Sequence, residues 1–166
     1  MDPFFHWLES SPLSVWTRES TSVFAYPAIL SAHAIGMALA AGVSAAIALH
    51  LLGVGPDIPT PEMRRFVGVL WLGFWMNAAS GVMLVIAYPT KALTNPVFYL
   101  KLSLVSTAMG LLIVINRRLL REPAPGVNWA SRQKRFLAVA SLVTWAGAIT
   151  AGRLLAYTYR RLFVDF

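Results

Sequence analysis

Pro27–Gly53 reads PAILSAHAIGMALAAGVSAAIALHLLG, an apolar run that contains two histidines and no Asp, Glu, Lys or Arg. About 20 apolar residues are enough for an α-helix to cross a hydrocarbon core about 30 Å thick, so this run predicts a transmembrane helix. Three more apolar runs follow, at about 66–88, 97–116 and 136–158. The sequence therefore predicts an all-α integral membrane four-helix bundle, a single domain with an N-terminal arm at 1–26.

The composition agrees with a chain that lies in a membrane along most of its length. Hydrophobic residues make up 57% and charged residues 13% of the 166, whereas about a quarter of residues are charged in soluble domains. No cysteine is present, which excludes disulfides, thiolate metal sites and the thioether attachment of c-type haem. The formal charge is +7, but the basic residues flank apolar runs, which predicts anionic lipid headgroups and not nucleic acid as their partner.

The N-terminal arm is expected to lie at the membrane interface. Asp2 followed by Pro3 is typical of a helix start and predicts a short helix over Pro3–Glu9. Its aromatic residues suit the headgroup level, where Trp is enriched. The rest of the arm, with Trp16 among hydroxyl residues, has the same interfacial character.

The loop charges predict an orientation. Eight of the 14 Lys and Arg residues fall in the first and third loops and six on the other side. By the positive-inside rule the two basic loops face the cytoplasm and both termini face outward, which in a bacterial inner membrane is the periplasm.

Small residues recur every four positions along the first and last runs. The stripes are Ala32, Gly36, Ala40 and Ser44; Ala34, Ala38, Gly42 and Ala46; and Thr144, Ala148, Gly152 and Ala156. Such stripes let helix backbones approach closely in lipid. We therefore expect the first run to form the central helix and the fourth to lie beside it.

His33 and His50 are the polar side chains of the first run and the candidate metal ligands. They are 17 residues apart, which on one helix separates them by about 25 Å and about 260° of rotation. They cannot belong to one site. His50 comes close to the helix end, where a structural role at the headgroups is the simpler interpretation.

His33 is the candidate ligand of a b-type haem, because bilayer cytochromes hold haem iron through such histidines. The chain has only three histidines, so a second axial ligand would come from His6 of the arm, from His33 of another copy, or from a methionine. Met37 lies one turn after His33 and is expected to pack on a bound ring. A hydrogen-bonded packing role and a proton-relay role for His33 are the alternatives.

Two basic residues and one amide complete the candidate cofactor site. Lys101 and Arg153 are expected at about the depth of His33, and no carboxylate lies in the apolar runs to pair with them. Together these groups indicate an anionic guest, such as haem propionates or a lipid, although Arg153 could instead extend to lipid phosphate. Asn77 needs a hydrogen-bond partner, which could be a helix, His33 or a ligand.

With these residues in view, the chain resembles a bacterial family of small four-helix inner-membrane proteins that is loosely similar to copper-resistance D-type membrane proteins. The matching stretches are His33–Gly42, Leu49–Gly53, Asn95–Lys101 and Trp145–Arg153. The resemblance implies a shared site at His33, Lys101 and Arg153 and a metal or redox connection. The family pattern has arginine at position 50, so His50 departs from it.

The sequence thus favours a b-type haem protein that acts as an electron carrier or redox subunit. The second hypothesis is a cofactor-free accessory subunit that forms homo-oligomers, or joins a larger membrane complex, through the small-residue stripes. The third is a transporter of a metal ion or small anion. No paired carboxylates, activated nucleophile or phosphate-binding loop are present in the sequence, so an enzyme is not expected.

Overall fold

The structure is a computed structural model that describes residues 3–55, 59–120 and 131–162. All of the regular structure in these ranges is helical. The helices are α1 (Pro3–Glu9), α2 (Pro12–Glu19), α3 (Tyr26–Leu51), α4 (Thr60–Ala87), α5 (Pro89–Leu93), α6 (Pro96–Ile115) and α7 (Ser131–Leu162), with a π-helical turn (Asn116–Leu120) after α6. Helices α3, α4, α6 and α7 are long and apolar enough to span a membrane. The prediction of an all-α, multi-pass membrane bundle is confirmed.

Two of the spanning helices extend beyond the apolar runs that predicted them. Helix α4 begins at Thr60 and α7 at Ser131, several residues before the runs at 66–88 and 136–158. Hydropathy identifies only the part of a helix that lies in the hydrocarbon core. The backbone hydrogen bonds of the helix continue into the headgroup region, so the helix is longer than its apolar run. The short helix Pro3–Glu9 is present as expected, but the predicted cap at Asp2 lies outside the described residues.

Helix α3 is the central helix of the bundle. It packs against α4 on one side and α7 on the other, and α6 packs against α7. Its most apolar window has the largest buried share of the four spans, 33% against 17% to 28%. A hydrogen bond of 3.3 Å between Ser44 Oγ and Ser141 Oγ joins α3 to α7. The predicted central position of the first run, beside the fourth, is confirmed.

Helices α3 and α4 cross at close range at Gly36 and Gly73. A Cβ atom added to Gly36 would lie 2.6 Å from Asn77 N and 2.7 Å from Gly73 O. A Cβ atom added to Gly73 would lie 2.9 Å from both Ala40 N and Gly36 O. Gly36 and Ala40 are therefore used for packing inside the chain, so substitutions at these two positions test folding before they test assembly.

The two ends of the bundle differ in character. At one end α3 and α6 finish and α4 and α7 begin, and we name it the arginine end for its basic side chains. At the other, named the arm end, α1, α2 and α5 pack near the end of α4. The buried apolar core lies toward the arginine end and includes Ile47, Leu70, Leu112 and Ile115. The arm end of the bundle interior is where polar side chains meet.

The arm presents its apolar residues outward. Phe4 and Trp7 of α1 are 58% and 66% exposed. Ser14 and Thr17 of α2 are buried instead, and Ser14 Oγ donates to Ala87 O at 3.4 Å. An apolar outer face suits headgroup and acyl boundaries, which agrees with the interfacial amphipathic arm that the sequence predicted.

Candidate functional site

Four polar side chains from three helices meet in the arm half of the bundle. His33 comes from α3, Asn77 and Ser80 from α4, and Lys101 from α6. His33 lies seven residues after the start of α3, about 10 Å along its axis, and Lys101 lies five residues after the start of α6. Because α3 and α6 run in the same direction, these similar offsets bring the two side chains to nearly the same depth.

The Nδ1 atom of His33 is held by α4. It lies 3.0 Å from the backbone oxygen of Asn77 and 3.2 Å from Ser80 Oγ. The carbonyl oxygen can only accept, and Ser80 Oγ already donates to Met76 O at 2.6 Å. Nδ1 therefore carries the proton and donates to both oxygens. This assignment leaves Nε2 as the nitrogen with the free lone pair of a neutral imidazole.

The Nε2 atom of His33 accepts a hydrogen bond from Lys101. The distance between Lys101 Nζ and His33 Nε2 is 3.1 Å. Histidine thus bridges a backbone carbonyl of α4 and the amine of α6. The Asn77 side chain locks the histidine segment further, because its Nδ2 donates to the backbone oxygen of His33 at 2.7 Å.

Two glycines give this cluster its shape. A Cβ atom added to Gly81 would lie 3.2 Å from Cε1 of His33, so the ring lies almost against the α4 backbone. A Cβ atom added to Gly152 would lie 3.6 Å from Cε and 3.8 Å from Nζ of Lys101. The absence of a side chain at Gly81 lets α4 approach the His33 ring closely, whereas a Cβ atom at Gly152 would be in ordinary van der Waals contact with Lys101.

No carboxylate neutralises the pair in the part of the chain that the structure describes. The carboxylates in those ranges are Glu9 and Glu19 of the arm and Glu62 at the start of α4. Glu9 accepts a hydrogen bond of 2.8 Å from Thr90 Oγ1. The only partner found for Lys101 Nζ among the described residues is the imidazole of His33.

The remaining candidate residues lie outside this cluster. Arg153 directly follows Gly152 but is exposed, and His6 is exposed on α1. His50 lies near the other end of α3, and Met37 packs against the apolar core. Across residues 3–55, 59–120 and 131–162, no three His, Cys, Asp or Glu side chains come together in a group that could hold a metal ion.

Sequence reasoning singled out His33, Lys101 and Asn77 but missed Ser80 and Gly81. Their spacing in the sequence could have identified them: Ser80 and Gly81 lie three and four residues after Asn77 and so share its helix face. A polar residue and a glycine on the face of Asn77 indicate where α4 receives a polar ring. Small residues appear in every apolar run, which is why this signal was overlooked.

No model of a known protein family matches the chain, and no curated protein or solved structure matches it either. The functional argument therefore depends on the geometry of the cluster.

Proposed function

We propose that this chain is a membrane-embedded binding protein whose guest presents negative charge to the pair formed by His33 and Lys101. The observation that carries this proposal is the 3.1 Å contact between Lys101 Nζ and His33 Nε2. A charged side chain costs about 2.5 to 3.5 kcal/mol at the bilayer centre and less toward the interface, so a lysine that stays charged inside an apolar bundle needs a partner. A neutral imidazole offsets part of this cost, and an anion beside the amine offsets far more.

The guest that we propose first is b-type haem, in a protein that carries electrons or serves as a redox subunit. Haem combines propionate carboxylates, which suit Lys101, with an iron that takes a neutral histidine nitrogen. The bond from His33 Nδ1 to the Asn77 carbonyl supports this choice, because metal-ligating histidines characteristically donate their other N–H in this way. Lys101 Nζ lies where the iron would bind, so haem binding requires the lysine side chain to rotate away from Nε2.

The absorption spectrum of the purified protein tests the haem proposal. Protein from haem-replete cells is expected to show a Soret band and a reduced α-band, and His33→Ala is expected to lose both. Ser80→Ala removes a partner of the ligating ring and is expected to weaken haem retention by about tenfold, the lower range for such partners. His50→Ala, toward the arginine end, is the matched control and should retain the spectrum. Colourless wild-type protein would exclude haem as the guest.

A second measurement tests the anionic guest without haem. Oleate, a long-chain carboxylate, is titrated into the detergent-solubilised protein and binding is followed by calorimetry. Lys101→Gln is expected to weaken binding by about tenfold or more, because a hydrogen bond to a charged group contributes about 1.5 to 3 kcal/mol. Lys91→Gln removes one positive charge at the same end and is the control. Equal binding by wild type and Lys101→Gln, together with a colourless protein, would overturn the proposed function.

An oligomeric accessory subunit is the second candidate, and one surface of α3 favours it. Ala34, Ala38, Gly42 and Ala46 form a stripe that is exposed along its whole length. No atom lies within 4 Å of a Cβ added to Gly42. Stripes of this kind allow close helix association in lipid.

The oligomeric state of a glycine variant tests this second candidate. Gly42→Leu is expected to shift the chain toward the monomer in cross-linking and light-scattering measurements, because the larger side chain keeps a second backbone away. Gly110→Leu is the control, since that glycine of α6 is also exposed and has no atom near its added Cβ. An identical oligomeric state in wild type and Gly42→Leu would count against association through this stripe.

A further inference from the structure

An apolar cleft of about 410 Å³ opens at the arginine end of the bundle, between the end of α6 and the start of α7. The atoms that line it are almost all apolar, although three of the six lining residues have polar side chains. The lining residues are Val114, Arg118, Arg132, Gln133, Phe136 and Leu137. We name it the α6–α7 cleft. It lies at the opposite end of the bundle from His33 and plays no part in the site described above.

Basic side chains dominate the surface around this cleft. The exposed basic residues at this end of the described chain are Arg64, Arg65, Arg117, Arg118, Arg132, Lys134 and Arg135. The only carboxylate at this end within the described ranges is that of Glu62. A surface with so strong an excess of positive charge is complementary to anionic headgroups.

The depth of the cleft also matches that of a lipid headgroup. Arg118 is the last residue of the third candidate span, and Arg132 is the first residue of the fourth. Both arginines therefore lie at the boundary of the hydrocarbon, with Phe136 one turn deeper on α7. A phospholipid has the same order of groups along its length, with a phosphate at the boundary and acyl chains below it.

We propose that the α6–α7 cleft is a binding site for an anionic phospholipid. One acyl chain lies along Val114, Phe136 and Leu137, and the phosphate lies between the guanidinium groups of Arg118 and Arg132. The planar guanidinium matches phosphate geometry with paired hydrogen bonds, which a lysine amine does not. The positive-inside rule accounts for basic residues anywhere on this side of the membrane. It does not account for two arginines placed on either side of an apolar cleft.

Native mass spectrometry of the full-length, delipidated protein tests this site. Dioleoyl-phosphatidylglycerol and dioleoyl-phosphatidylcholine are titrated separately, and the bound fractions are compared. Phosphatidylglycerol is expected to bind about tenfold more tightly or better, because each nearby arginine contributes to anionic lipid binding. The double variant R118Q/R132Q should lose this preference. The double variant R64Q/R65Q removes the same charge away from the cleft and should keep it.

A third variant separates the acyl chain from the charge. Val114→Trp fills the cleft without changing any charge and is expected to weaken phosphatidylglycerol binding as strongly as R118Q/R132Q. Glycerophosphoglycerol, the headgroup without acyl chains, should fail to compete. Equal binding of the two lipids, or equal losses in R64Q/R65Q and R118Q/R132Q, would overturn the proposal. So would competition by the free headgroup.

Discussion

Replacing Gly36 by leucine is expected to prevent stable packing of α3 on α4. Even the first added carbon would lie 2.6 Å from Asn77 N and 2.7 Å from Gly73 O, and both of these are backbone atoms that cannot rotate away. Overpacking of a tight core commonly costs 1 to 3 kcal/mol, and a backbone obstruction places this variant at about 3 kcal/mol or beyond. That is a large part of the roughly 5 to 15 kcal/mol that typically separates folded and unfolded states.

The free energy of unfolding, measured by SDS titration in mixed micelles, checks this expectation. Gly36→Ala should already be destabilised, and Gly36→Leu should lose its monodisperse peak in size-exclusion chromatography. Gly110→Leu adds the same side chain to an exposed glycine with no atom near its added Cβ, and it should unfold as the wild type does. A Gly36→Leu protein as stable as Gly110→Leu would show that α3 and α4 do not cross where the structure places them.

The second large effect is expected at the His33–Lys101 pair. His33→Leu keeps the volume of the ring but leaves the Lys101 amine without its only partner among the described residues, and we expect a loss of about 2 kcal/mol. Lys101→Met removes the charge, which is costly to bury, but it also leaves Nε2 of His33 without its donor, so the two effects oppose each other. We therefore expect Lys101→Met to change stability by less than about 1 kcal/mol.

A double-mutant cycle over these two positions measures the interaction directly. The variant H33L/K101M should be more stable than His33→Leu alone, with a coupling of about 1 to 2 kcal/mol in the unfolding free energies of the four proteins. Stability changes that simply add would show that the amine and the imidazole do not interact. If Lys101→Met keeps the stability of the wild type and Lys101→Gln weakens oleate binding, then Lys101 is needed for binding and not for folding.

The membrane fold was predictable from sequence because the bilayer imposes a simple rule. Backbone groups must be satisfied inside each spanning segment, so four apolar runs of sufficient length indicate four helices. The helix ends were less predictable, and α4 begins at Thr60 because hydrogen bonding continues beyond the apolar residues. Helix α5 was not predicted, since its five residues, which begin with Pro89, have no apolar pattern of their own.

The members of the polar cluster were predictable to different degrees. His33 and Lys101 stood out as polar groups in apolar runs, which always need an explanation in hydrocarbon. Their direct contact was not predictable, because it depends on the relative rotation of α3 and α6. Arg153 has the same sequence signal as Lys101, yet α7 turns it to the exposed surface and directs Gly152 toward Lys101 instead.

The sequence by itself determined that this chain has four helices long and apolar enough to span a membrane, with the first of them at the centre, since hydropathy and small-residue spacing depend only on the order of residues. Only the tertiary structure decided which polar atoms meet. Rotation of each helix about its axis is set by contacts such as Gly36 on Gly73, and that rotation directs Nδ1 of His33 to α4 and Nε2 to Lys101. A pairing of atoms from helices distant in sequence has no local pattern from which it could be predicted.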